Sequence, residues 1–289
     1  MTETIRLDNG ELSVEVSSLG AEMQSLASAD GRQWLWNGDG EWWSGRSPIL
    51  FPIVGKAPED TLAINGKAYA MKQHGLARRR EFALIGSASD VCRHQLAADD
   101  ETMASYPFDF RLELEHRLTG RVLTVTATVA NAGSESMPYG IGFHPAFLWP
   151  LPGATGLPHR ITLENGKEPD LFRLKDGMLS PEKHLSPFIG GHLMLEHRQF
   201  EADAMIFPEG AGDGLTYDVA EGPALKFTFR NLPNLALWQK PGAPFICIEP
   251  WHGMAAHLDG SAELTERPFT AALAPGEKAS YGFSVELPD

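Results

Sequence analysis

Cysteine is nearly absent from this sequence: Cys92 and Cys247 stand far apart, each inside an apolar, strand-like run. That excludes a disulfide framework and the paired cysteines of a zinc ribbon, and it predicts two buried free thiols. Basic charge is also scarce. Lys plus Arg number 24 against 38 Asp plus Glu, for a net charge of −14, and such a surface repels a phosphodiester backbone, so nucleic acid is excluded as a partner. No apolar run approaches the roughly 18 residues of a membrane-spanning helix. Met1-Thr2-Glu3-Thr4 has neither the basic nor the apolar region of a secretory signal. The expectation is a cytoplasmic protein with no membrane partner.

A sustained 3.6-residue period is missing as well, and the best short helix is Asp99 to Ser105. What is present instead is alternation. Leu12 to Val16 alternates apolar and polar residues, as do Phe108 to Leu114, Leu123 to Val129, Leu225 to Arg230 and Tyr281 to Leu287, which is the pattern of half-buried strands. Thr61 to Ile64, then Asn65-Gly66, then Lys67 to Tyr69 predicts a hairpin, because Asn-Gly supplies both positive-φ positions of a type I′ turn. The 29 Gly and 21 Pro are spread at turn-like intervals. Many short strands separated by turns predict an all-β sandwich of mostly antiparallel strands rather than a parallel βαβ sheet. No linker divides the chain, so residues 1–289 are read as one domain, with the loop Leu151 to Pro158 as an insertion.

Chemistry-bearing residues fall in five segments. Phe245-Ile246-Cys247-Ile248-Glu249-Pro250-Trp251-His252-Gly253 is a buried strand delivering a carboxylate, an indole and an imidazole. Burial raises a carboxylate's pKa and cations lower it, so Glu249 suits a base held ionised near neutrality; a carboxylate in an internal salt bridge gives the same pattern. Gly142-Phe143-His144-Pro145 sets one imidazole, able to move a proton at neutral pH, among uncharged neighbours, as a core histidine would also sit. Lys56 follows Gly55 at the end of the buried run Ile49 to Val54, as a cation entering a cleft or a solvated strand end. In Gln73-His74-Gly75, His74 is a donor to a substrate hydroxyl or a surface turn residue, and Arg78-Arg79-Arg80 reads as a phosphate site or a solvated strand edge. Asp203, before the buried run Ala204 to Phe207, can accept bonds from sugar hydroxyls or cap a turn.

Several alternatives fail on spacing. There is no Walker or Rossmann glycine pattern opening a helix, no Gly-x-Ser-x-Gly elbow, and no cupin metal motif, since His144 is followed by Pro145 and Ala146.

Taken in order, the segments ILFPIVGK, QHGLARRREF, GFHPAF, ADAMIF and CIEPWHG resemble the aldose 1-epimerase family, in particular its LacX-like branch of galactose mutarotase-like proteins. The resemblance runs from the first strand to the last and implies a large galactose mutarotase-like β-sandwich. It implies interconversion of the α and β anomers of an aldohexose by ring opening and closure, with no metal and no cofactor. Carried over by motif, Glu249 takes the proton of the anomeric hydroxyl and His144 protonates the ring oxygen, while His74 and Asp203 hold hydroxyls. Trp251 is placed to stack on the sugar's apolar face. Lys56 stands where the family commonly has Arg, exchanging a bidentate fork for a point charge, and Leu76 replaces the Phe usual after His-Gly.

Two other functions compete. A non-catalytic sugar-binding or sensing protein would keep the fold without needing both proton-transfer groups. A hexose-6-phosphate epimerase would place Arg78 and its neighbours on the phosphate. A glycoside hydrolase would need two carboxylates flanking the bond, which leaves His144 without a role. The expected partner is a small sugar, free or phosphorylated, and the expected assembly a monomer or loose homodimer.

Overall fold

The structure is a computed structural model, described here for residues 2–288. Among these residues nine strands form one antiparallel sheet. It runs in space from His192–Met194 through His159–Leu163, Gly214–Val219, Ala224–Arg230, Lys278–Glu286, Val122–Asn131, Phe110–Thr119 and Val91–Ala97 to Ala83–Ser87. Its long strands alternate as expected. Along Phe110–Thr119 every second residue is buried, and Leu112 faces Val129 across the ladder. One face is therefore apolar and must be covered.

The cover is a second sheet of eight strands, in which Phe245–His252 lies between Asn234–Trp238 on one side and Ile141–Phe143 with Ala146–Leu148 on the other. Rings meet between the sheets, Phe143 with Phe283 at 5.2 Å and Phe147 with Phe227 at 5.0 Å. The architecture is thus the all-β sandwich that the alternation implies.

The second sheet explains why its strands read as unbroken apolar runs. Phe245 to Trp251 is buried on both faces. Ile246 and Ile248 point into the core between the sheets. Cys247, Glu249 and Trp251 have the opposite parity and point to the outer face. That face is roofed by loops, and Glu249 sits between two small apolar clusters, one including Trp251, Leu50 and Ile206, the other including Cys247, Trp36 and Phe245.

Local expectations hold at several points. Thr61–Ile64 and Lys67–Ala70 form the hairpin, with Asn65 and Gly66 at φ 52° and 76°. The short helix spans Asp100–Met103, with Asp99 capping Thr102 N–H at 2.7 Å. Cys92 and Cys247 are both buried and free. Arg78 to Arg80 depart from the expected strand edge: Ala77–Arg79 is a 3₁₀ turn packed beneath the cleft, so consecutive arginines diverge in direction.

Candidate active site

The outer face of the eight-stranded sheet opens into a cleft of about 500 Å³. Glu249, His144, His74, Lys56, Arg78, Asp203 and Trp251, the residues singled out from the sequence, all line it. His252 does not join them. One residue past Trp251, it takes the other parity, bonds the Asn231 carbonyl through Nδ1 at 3.0 Å and sets its ring against Tyr281.

Sheet register builds the centre. Glu249 is opposite Ala236, and Cys247 is opposite Trp238 on one side and Ala146 on the other. His144 occupies the break between Ile141–Phe143 and Ala146–Leu148, both of which pair with the strand that carries Glu249. Its Nε2 lies 3.2 Å from Glu249 Oε2. Trp43 lies obliquely over the imidazole, ring centres 4.9 Å apart, while Trp238 and His74 meet it edge-on.

The indole of Trp251 forms one wall and depends on glycine. A Cβ on Gly142, its cross-strand partner, would fall 2.4 Å from Trp251 Cδ1. His74 is set by its backbone, at φ 64°, and by the Gly55 N–H, which donates to Nδ1 at 3.1 Å. Nδ1 is thus the acceptor, and in the neutral ring the proton resides on Nε2, 3.2 Å from the Gln73 side-chain amide, which must turn its oxygen to this N–H to accept from it. The next residue, Gly75, lets this loop touch Phe51, since a Cβ there would meet the Phe51 carbonyl oxygen at 2.1 Å.

Two arginines clamp the flanking loops through carbonyls. Arg267, only 5% exposed, donates to the carbonyls of Val54 (2.7 Å), Met254 (3.0 Å) and Lys56 (3.1 Å). Arg173 donates to those of Asp203 (2.7 Å), Ala204 (3.2 Å) and Gln199 (2.8 Å). Asp203 is left-handed at φ 65°, and its Oδ1 accepts the Ala204 N–H.

Electrostatics in the cleft follow from burial. Loss of water pushes the Glu249 carboxyl well above the usual range and Asp203 adds to this, while Arg78 and the nearby indole N–H of Trp251 pull it down. Burial drives His144 well below the ordinary imidazole value, helped by His74 and Arg78. His74 is held down to about 3 by burial and by Arg78, Arg79 and Arg267. Arg78 itself is lowered by burial and by Arg79.

Three buried polar atoms converge here without a hydrogen-bond partner among the described residues: Glu249 Oε2, His144 Nδ1 and Trp251 Nε1. Buried groups of this kind are rare in folded proteins and mark a place where a polar ligand completes the bonding. The other arginines of the run are occupied. Arg79 donates to the carbonyl of Gly75 at 2.7 Å, and Arg80 turns away to Glu101.

Sequence reasoning missed Trp43, Trp238, Gln73 and Asp176 in the lining and Arg267 beneath it. The pair Trp42-Trp43, in the polar, glycine-containing stretch Asn37 to Gly45, carried a signal, since indoles in such a loop need a reason to be there. Arg267 offered none.

The fold is the large β-sandwich of galactose mutarotase-like proteins. The sequence pattern of the aldose 1-epimerase family matches residues 3–281, and the chain belongs to that family. Two LacX proteins of Lactococcus lactis subsp. lactis, chromosomal and plasmid-borne, are 29% and 28% identical, each aligned over 98% of this chain and 99% of its own length. Among solved structures, the galactose mutarotase related enzyme of Lactobacillus acidophilus is 28% identical with a TM-score of 0.93, covering 99% of this chain and 98% of its own. A galactose mutarotase-like protein of Lactobacillus casei is 26% identical with a TM-score of 0.91, covering 99% and 100%. Family membership supports a general epimerase function on a sugar substrate. Among the described residues no helix is long and apolar enough to cross a membrane.

Proposed function

We propose that this protein is an aldose 1-epimerase acting on a free aldohexose, with Glu249 and His144 as the proton-transfer pair. The observation that carries the reading is the 3.2 Å separation of His144 Nε2 and Glu249 Oε2. The anomeric hydroxyl oxygen and the ring oxygen are bonded to one carbon, so the two groups that serve them must be neighbours.

In the forward direction the Glu249 carboxylate takes the anomeric hydroxyl proton. The freed electron pair forms the carbonyl at C1, the bond from C1 to the ring oxygen breaks, and that oxygen takes a proton from the His144 imidazolium. Rotation about the bond from C1 to C2 presents the other face, and the steps reverse. Ring opening carries the pair from carboxylate and imidazolium to carboxylic acid and imidazole, the uncharged form that burial favours at rest. Both states hold one proton between the two residues and have zero net charge, which suits a pair this deeply buried. Acid and base assistance each contribute about 10²- to 10⁴-fold. Opposed pKa displacements, Glu up and His down, strengthen Glu249 as a base and His144 as an acid.

His74 Nε2–H and the open guanidinium of Arg78 are the donors for hydroxyls, Asp203 an acceptor, and Trp43, Trp238 and Trp251 the apolar surfaces. With the Glu249–His144 pair neutral as a unit, the other charged residues lining the cleft are Lys56, Arg78 and Arg79 against Asp176 and Asp203. With two carboxylates beside these cations and Arg79 already held by the Gly75 carbonyl, a neutral sugar is favoured over a phosphorylated one.

Polarimetry on freshly dissolved α-glucose and α-galactose, alongside anomer-exchange NMR on their equilibrated 6-phosphates, tests this directly. Acceleration on a free sugar supports the reading, and acceleration confined to the phosphates replaces it with the phosphosugar alternative. Binding without acceleration of any of them favours a sugar sensor.

A further inference from the structure

One buried group beside the cleft has no task in anomer exchange. Cys247 lies two residues before Glu249 on the same strand, with the same parity, so both side chains leave the same face of the sheet. One ligand atom each from His144, Cys247 and Glu249 lies within 4.8 Å of the other two, and all three residues are buried. In addition, Glu249 Oε2 and His144 Nδ1 are buried without hydrogen-bond partners.

We propose that His144, Cys247 and Glu249 form a site for Zn²⁺ or a similarly thiophilic divalent ion, and that the ion inhibits by occupying the proton-transfer pair. One nitrogen, one sulfur and one oxygen are the donor types zinc accepts, and three protein ligands with a fourth position open to the cleft is a common coordination pattern. A thiolate beside an imidazole selects zinc, cadmium or copper over magnesium and calcium. Charge is complementary, since a divalent ion with a thiolate, a carboxylate and a neutral imidazole is a neutral unit in an interior that penalises net charge. On binding, the Cys247 thiol proton and the one proton shared by His144 and Glu249 leave to solvent. The coordinated carboxylate can no longer accept the anomeric proton, and the coordinated imidazole can no longer deliver one. Zinc and sugar are then mutually exclusive.

The inhibition arm rests on the epimerase reading, and the binding arm does not. Metal-free full-length protein is titrated with Zn²⁺ by calorimetry and with Cd²⁺ while the ultraviolet thiolate-to-cadmium band is followed, for wild type, Cys247→Ala and, as a closer match in size, Cys247→Ser. Thermal melts establish that each variant folds. The expected result is one Zn²⁺ per chain with the cadmium band in wild type. Loss of the cysteine ligand abolishes the band and weakens Zn²⁺ binding by at least about 100-fold, beyond what loss of a supporting outer group costs. Anomer exchange is inhibited by Zn²⁺ competitively with sugar and not by Mg²⁺, and the folded cysteine variant keeps its exchange while escaping inhibition. Absence of zinc binding by wild type, or equal binding by the folded cysteine variants, overturns the proposal. If no sugar is turned over, the cadmium band and its loss still decide the site.

Discussion

His144 Nε2 and Glu249 Oε2 lie 3.2 Å apart at the floor of the cleft, brought together because the two short strands flanking His144 pair with the strand that carries Glu249. The carboxyl is held there without an aligned hydrogen-bond donor on Oε2, and burial raises its pKa. For a group raised in the folded state, stability is fully present below the unfolded value near 4.3 and declines as pH rises above it. Glu249→Gln is therefore expected to raise Tm, and by more at pH 8 than at pH 5. A glutamine variant less stable at both pH values contradicts this account of the site.

Gly142 is the residue that allows Trp251 to form its wall. Gly142→Ala places a methyl group 2.4 Å from Trp251 Cδ1, and overpacking of this kind costs about 1–3 kcal/mol. Denaturant midpoints at unchanged m-value measure the loss, and sugar affinity is expected to fall with it as the indole is displaced. A neutral effect on both shows that the indole has somewhere else to go.

Arg267 ties Val54, Lys56 and Met254 together through one guanidinium. Its removal as Arg267→Ala strands the Val54 and Met254 carbonyls, while that of Lys56 keeps the Ala256 N–H, and leaves a cavity, for an expected loss of about 2–4 kcal/mol in urea unfolding. Because those carbonyls belong to the loops bearing Gly55 and Lys56, sugar affinity should weaken as well. A destabilisation under 1 kcal/mol would show that the loops are held by other contacts.

Much of this organisation was legible in the sequence for identifiable reasons. Period-two alternation reports a strand with one wet face, as in Phe110–Thr119 and Val122–Asn131, and Asn65-Gly66 reports a turn through its φ requirement. Glu249 and His144 drew notice as single ionisable groups in apolar runs, but their pattern also fitted a buried salt bridge and a core histidine, and their roles came from the resemblance to the aldose 1-epimerase family. The direction of neighbouring side chains was less legible. His252 was read together with Trp251, yet strand parity sends it to the opposite face, and three consecutive arginines were read together although a 3₁₀ turn separates Arg78 in the cleft from Arg80 at Glu101. Arg267 was invisible because its partners are backbone carbonyls distant in sequence, which no residue pattern records.

Away from the cleft, His116 is buried among sheet residues and its pKa is pushed down to about 3 by burial and by His94. The unfolded chain protonates this ring near 6.5 while the folded protein does not, so stability is present above pH 6.5 and is lost as pH falls toward 3, at about 1.4 kcal/mol per pH unit. His116→Gln is expected to flatten the acid limb of the stability curve between pH 6 and 4 by roughly that slope. Parallel limbs for variant and wild type would mean that His116 reaches solvent before global unfolding.

The most direct test of the central claim is the rate of α–β anomer exchange of glucose or galactose, read by NMR magnetisation transfer at the anomeric protons, for wild type, Glu249→Gln and His144→Ala with folding verified. The account predicts that wild type accelerates exchange on one of these sugars and that each substitution lowers kcat by about 10²- to 10⁴-fold. Near-wild-type exchange in either folded variant would contradict it and remove that residue from the proton path.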